Sequence, residues 1–192
     1  MRRMNHITNT SSRLDVLAGR ACALGGAVLC GLGALMATRP NVHEHTVTST
    51  TEHAILVLLA SALVLIAPGV LALGARVARR TPSRVVAAAM FVIALAGTIS
   101  NVRGGDASWF DPVAGVTNAA WAICTIWLAV ALHRSGAVAR WVSLGLVPVY
   151  IATIPASRVG GGLVAGAFWI AVGALLATGT LERHPAPAIA AA

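Results

Sequence analysis

Residues 54–74 read AILVLLASALVLIAPGVLALG, and residues 75–84 read ARVARRTPSR. The first string carries one hydroxyl and no charge over about twenty residues, enough for a helix to cross the roughly 30 Å hydrocarbon core of a bilayer. The second gathers Arg76, Arg79, Arg80 and Arg84. Nothing alternates in the apolar string, so it does not read as a barrel strand, whose lipid-facing and lumen-facing residues take turns. An apolar helix followed directly by a basic connection reads as a membrane span ending on the cytoplasmic side.

Similar apolar runs lie at 16–37, 85–101, 113–132, 141–156 and 161–181. The third and fifth in chain order are the shortest; the third is extended through Ser100 and Asn101, and the fifth starts at Trp141. The 192 residues are 57% apolar and only 10% charged, against about a quarter charged in soluble domains. The expected fold is therefore all-α: a polytopic six-transmembrane-helix bundle at 16–182. A cytoplasmic N-terminal segment at 1–15 and a Pro- and Ala-rich cytoplasmic tail at 183–192 flank it. The first run is too long, and preceded by too many polar residues, to be a signal peptide.

The fourteen basic residues are all arginine, giving a net charge of +8. Arg2, Arg3, Arg13, Arg20, the four of the second connection, Arg134, Arg140 and Arg183 fall on one side of the six-span topology. Only Arg39, Arg103 and Arg158 fall on the other. This asymmetry places both termini in the cytoplasm. Basic clusters between apolar runs are not the exposed basic face of a nucleic-acid reader, so no nucleic acid is expected. An Ala-, Arg- and Gly-rich vocabulary without lysine points to a bacterial cytoplasmic membrane. Cys22, Cys30 and Cys124 lie inside apolar runs as packing residues, with no zinc or disulfide spacing.

Local punctuation agrees with these boundaries. Ser49 and Glu52 form a capping box, and Thr81-Pro82 and Asp111-Pro112 pair a cap with a first-turn proline. On the first helix Gly19, Ala23, Ala27 and Gly31 recur at spacing four, beside a second row of Cys22, Gly26, Cys30 and Ala34. Such rows let another helix approach closely, either within the chain or from a partner subunit or second copy. Residues 86–95 and 163–172 share Ala88/Ala165, Phe91/Phe168, Ile93/Ile170 and Ala94/Ala171. Prolines (Pro68 in the second helix, Pro148 and Pro155 in the fifth) interrupt the middle helix of each half. Together these outline a weak 3+3 inverted repeat of the kind that transporters use.

Polar groups are costly in hydrocarbon and face a bundle interior or wet cavity. Asn118, Trp121 and Thr125 share one face of the fourth helix, and Tyr150 and Trp169 fall at about the depth of Trp121. Asn101 and Arg103 end the third helix on the outer side. Asn101, Arg103, Asn118, Trp121 and Tyr150 are therefore the expected substrate-binding set, converging on an outward-opening pocket with an aromatic floor.

The first outer loop holds His43, Glu44 and His45, followed by Glu52 and His53. These are possible Zn²⁺ or Cu²⁺ ligands, but the spacing matches no H-E-x-x-H helix, and a solvated His-rich loop is favoured. No nucleotide loop, nucleophile elbow, deep histidine for haem or membrane-embedded carboxylate occurs, so no cofactor and no catalytic residue is assigned. Six helices, a cytoplasmic N-terminus and a small-residue first helix resemble, in layout alone, the substrate-capture subunits of vitamin importers of the energy-coupling factor type. The sequence thus points to a membrane protein that binds or transports a small molecule from the extracytoplasmic side. The alternatives are a membrane enzyme acting on a lipid or envelope substrate, and an accessory subunit.

Overall fold

A computed structural model describes residues 2–38 and 49–181, with backbone only for residues 2–12 and for Arg158. Among the described residues the chain is all helical: α1 (Arg2–Ala37), α2 (Thr50–Gly74), α3 (Thr81–Arg103), α4 (Phe110–Ser135), α5 (Arg140–Thr153) and α6 (Gly161–Thr178). A 3-10 turn, Ser157–Val159, joins α5 to α6.

The helix ends follow local chemistry. The capping box at α2 is complete: Glu52 N donates to Ser49 Oγ at 3.3 Å, and Ser49 N donates to Glu52 Oε2 at 2.9 Å. Glycines in the left-handed region close α3, α4 and α6 at Gly104, Gly136 and Gly179, where a side chain would be strained. Asp111 is not the cap of α4. The helix starts one residue earlier, because Phe110 N already donates to Ala107 O at 2.8 Å. Asp111 instead lies in the first turn, where a carboxylate meets the positive end of the helix dipole. Thr81 likewise is the first residue of α3, after Arg80. Helix α1 starts at Arg2, so the backbone of residues 2–15 continues the first helix.

Five helices are long and apolar enough to cross a membrane: Arg13–Ala37 of α1, then α2, α3, α4 and α6. At 14 residues, α5 rises only about 21 Å. Pro155 ends it, since proline has no N–H and disfavours helical backbone at the residue before it. Beyond Thr153, Ala156 N donates to Ile151 O at 2.9 Å and Gly161 N to Ala156 O at 3.0 Å. This turn carries the chain on to Gly160, where a Cβ would stand 3.2 Å from Ala37 Cβ at the end of α1. Pro68 and Pro148 lie within continuous helix.

Each helix packs on the next in sequence, and α6 returns to α1, closing a ring. Leu63 and Ile66 of α2, Met90 of α3, Leu128 of α4, Leu146 of α5 and Leu176 of α6 are buried within it. The outer surface is equally apolar, with Leu24, Val64, Phe91, Ile123 and Leu144 exposed, as a surface solvated by lipid requires. Arg76 ties the arginine-rich end, donating to Ala72 O at 2.7 Å and to Asp15 Oδ2 at 3.1 Å.

The ring closes through glycine. A Cβ on Gly26 would lie 2.7 Å from Gly166 O, one on Gly33 2.4 Å from Leu163 N, and one on Gly19 2.6 Å from Gly173 O. Gly19, Gly26 and Gly33 are seven apart, so they drift by only about 20° per step along α1. The expected row at spacing four turns roughly 40° per step and leaves the seam. Gly19 and Ala23 meet Gly173, whereas Ala27 is exposed and a Cβ on Gly31 would touch nothing. Cys22 and Cys30 donate to Trp169 O and Leu163 O, both at 3.5 Å. The positions matched between α3 and α6 have different surroundings: Ala165 is fully buried where Ala88 is exposed, and Ala94 is buried where Ala171 is exposed.

Candidate functional site

At the centre of the ring the side chains leave a cavity of about 20 Å³, room for about one water molecule. Trp121 and Thr125 of α4, Tyr150 and Thr153 of α5 and Trp169 of α6 line it on one side. Aliphatic side chains of α2 and α3, among them Ile66 and Met90, complete the wall. Trp121 and Trp169 are 3% and 4% exposed, so neither serves as an interfacial anchor. The Trp121 and Tyr150 rings meet edge to face at 5.6 Å, and Phe168 links Trp169 (5.2 Å) to Trp141 (5.8 Å).

Most intramembrane hydroxyls here are satisfied within their own helices. Thr98, Thr153 and Thr178 donate to Ala94 O, Val149 O and Ala174 O at 2.7, 2.7 and 2.9 Å. Tyr150 donates across to Asn118 O of α4 at 3.0 Å, fixing its ring beside Trp121. Thr125 differs. It lines the cavity, is 4% exposed, and its Oγ1 has no hydrogen-bond partner among the described residues. Asn118 Oδ1, two turns along α4 toward the arginine-poor end, is likewise buried without a partner.

The five expected site residues fall into two groups. Trp121 and Tyr150 line the cavity and Asn118 adjoins them through Tyr150. Asn101 and Arg103 do not line it. Asn101 Oδ1 pairs with His53 Nδ1 between α3 and α2, and Arg103 is exposed at the end of α3. His43, Glu44 and His45 lie outside the described residues, and among those described no three His, Cys, Asp or Glu side chains gather. Thr153, a cavity residue not in the expected set, was marked in the sequence only by standing three residues after Tyr150, one turn along the same helix face. The contributions of α2 and α3 had no sequence signal, because Ile66 and Met90 look like any other apolar residue of their helices.

The chain matches no known protein family, no curated protein and no solved structure. The likeness to vitamin-importer capture subunits therefore stays one of helix number and layout.

Proposed function

We propose that the chain is a multi-pass cytoplasmic-membrane protein of the binding or transport kind, with both termini inside. It would hold a small, partly aromatic or amphiphilic molecule, taken from the outer side, at the centre of its ring. The observation that carries this is the pair of unpartnered polar atoms on the inward face of α4, Thr125 Oγ1 and Asn118 Oδ1. A buried polar group left unpaired costs about 1–3 kcal/mol, and valine or leucine would pack the same space without that cost. A ligand with one or two hydrogen-bonding groups satisfies both. Trp121, Tyr150 and Trp169 would contact its apolar part, and Asn101 and Arg103 would stand at the outer approach.

Ligand pockets usually measure roughly 300–1,000 Å³, so a cavity of about 20 Å³ is the closed state in this account. The ring would part along α5. That helix is the shortest, carries Pro148 and packs on its neighbours through side chains, such as Phe168 over Gly145. Helices α1 and α6 meet backbone to backbone and would stay together. The test is small-molecule mass spectrometry on protein purified in mild detergent. Wild type should carry one non-bulk species, which Thr125→Val and Trp121→Leu lose while still melting cooperatively. Wild type carrying only bulk lipid, or variants retaining the species, contradicts the proposal. A second reading, an accessory subunit or homo-oligomer, draws on the exposed small residues Ala27 and Gly31 beside the α1–α6 seam; specific co-purification of a second chain would favour it.

A further inference from the structure

At the arginine-rich end a groove runs between α4 and α5 on the outer surface of the ring. Its walls are Ile126, Ala129 and Val130 of α4 with Leu144 and Val147 of α5, and its mouth carries His133, Arg134 and Ser143. Ile126 to Arg134 spans eight residues, about 12 Å along the helix axis, so the apolar track reaches from the mouth well into the membrane. Ile126, Val130 and Leu144 are 51%, 43% and 61% exposed. No other segment of the described chain covers them.

The mouth is basic, and among the described residues no carboxylate pairs with it. Arg134 lies in the last turn of α4 and Arg140 starts α5, both exposed, and His133 Nδ1 lies 3.5 Å from Ser143 Oγ. From Pro112 to Leu181 the sequence contains no Asp or Glu, so α4 beyond its first turn, α5 and α6 offer these arginines no carboxylate. At the opposite corner of the same end, Arg76 has Asp15. Trp141, half exposed beside Arg140 and edge-on to Phe168, sits where an aromatic ring marks the headgroup level. A phosphate at the mouth would accept charge-assisted hydrogen bonds from Arg134 and Arg140, while an acyl chain follows the apolar track below. Zwitterionic headgroups would bring a repelled cation to the same place.

We infer that this groove is a binding site for an anionic phospholipid of the cytoplasmic leaflet, held by its phosphate at Arg134 and Arg140 and by an acyl chain between α4 and α5. The inference is independent of the central cavity. It is tested by thermal melting of the full chain in mixed micelles containing phosphatidylglycerol or phosphatidylcholine. Phosphatidylglycerol should raise the melting temperature of wild type by about 5 °C near saturation, and phosphatidylcholine should not. Arg79→Gln, an exposed arginine of the same end but outside the groove, should respond as wild type does. Arg134→Gln/Arg140→Gln should lose the response, and so should Val130→Trp, which blocks the track and leaves the charges. Equal responses to the two lipids, an undiminished response in the double variant, or the same shift from soluble glycerol phosphate alone would overturn the assignment.

Discussion

Thr125 and Thr153 line the same cavity with the same side chain in opposite circumstances. Thr153 returns its hydroxyl to Val149 O at 2.7 Å, whereas Thr125 Oγ1 is buried without a partner among the described residues. In ligand-free protein, Thr125→Val should leave melting unchanged or raise it, because it removes an unpaired group that costs about 1–3 kcal/mol to bury. Thr153→Val should lower stability by about 1 kcal/mol, the usual net worth of a hydrogen bond. Melting both variants in one detergent decides the matter, and equal destabilisation would remove the special status of Thr125. Tyr150→Phe should cost about 0.5–1.5 kcal/mol through the lost bond to Asn118 O, read in the same assay. At this scale the sequence placed Trp121, Tyr150 and Trp169 at similar depth, and Thr125 one turn further along the face of Trp121, because helical rise converts residue number to depth directly. It could not show that Asn101 turns to His53, since that depends on how the ends of α2 and α3 sit side by side.

The α1–α6 seam carries the firmest helix contact of the ring. A Cβ on Gly166 would lie 2.4 Å from both Gly26 O and Cys30 Sγ, and backbone cannot yield as a flexible side chain does. Gly166→Ala should therefore cost about 1–3 kcal/mol by overpacking. Ala27→Leu, at an exposed position, should change stability by less than about 0.5 kcal/mol. Detergent melting of the pair distinguishes the seam at spacing seven from the row at spacing four. The small-residue character of α1 was legible in the sequence, but which of its overlapping rows makes the contact was not. Glycine and alanine occur on several faces of α1, and only the way α6 lies against it selects Gly19, Gly26 and Gly33. Helix α5 lies at the other extreme, with 14 residues, an internal proline and contacts such as Phe168 over Gly145. Its amides should exchange hydrogen faster than those of α6 in a detergent-solubilised exchange experiment. Slower exchange in α5 would contradict its role as the parting element.

For the whole molecule, lipid as solvent explains both what was readable and what was not. Hydropathy and run length located the six helices, because every backbone polar group in hydrocarbon must be satisfied inside its own segment. The same solvent hides the packing: buried Leu63 and exposed Val64 are equally apolar, so no hydrophobic face announces which side points inward. The order of helices around the ring, and hence which walls enclose the cavity, was for that reason not legible. Helix α5 is the weakest point of the six-span topology, since it falls short of the bilayer thickness until the turn to Gly160 is added. If α5 crosses, residue 137 and the C-terminus lie on opposite ends of an α5–α6 pair that spans twice, and so on the same side of the membrane. Reporter fusions after residue 137 and at the C-terminus measure this directly. The account predicts cytoplasmic activity for both, together with an exterior signal after residue 47; a cytoplasmic signal at residue 137 with an exterior signal at the C-terminus would contradict it.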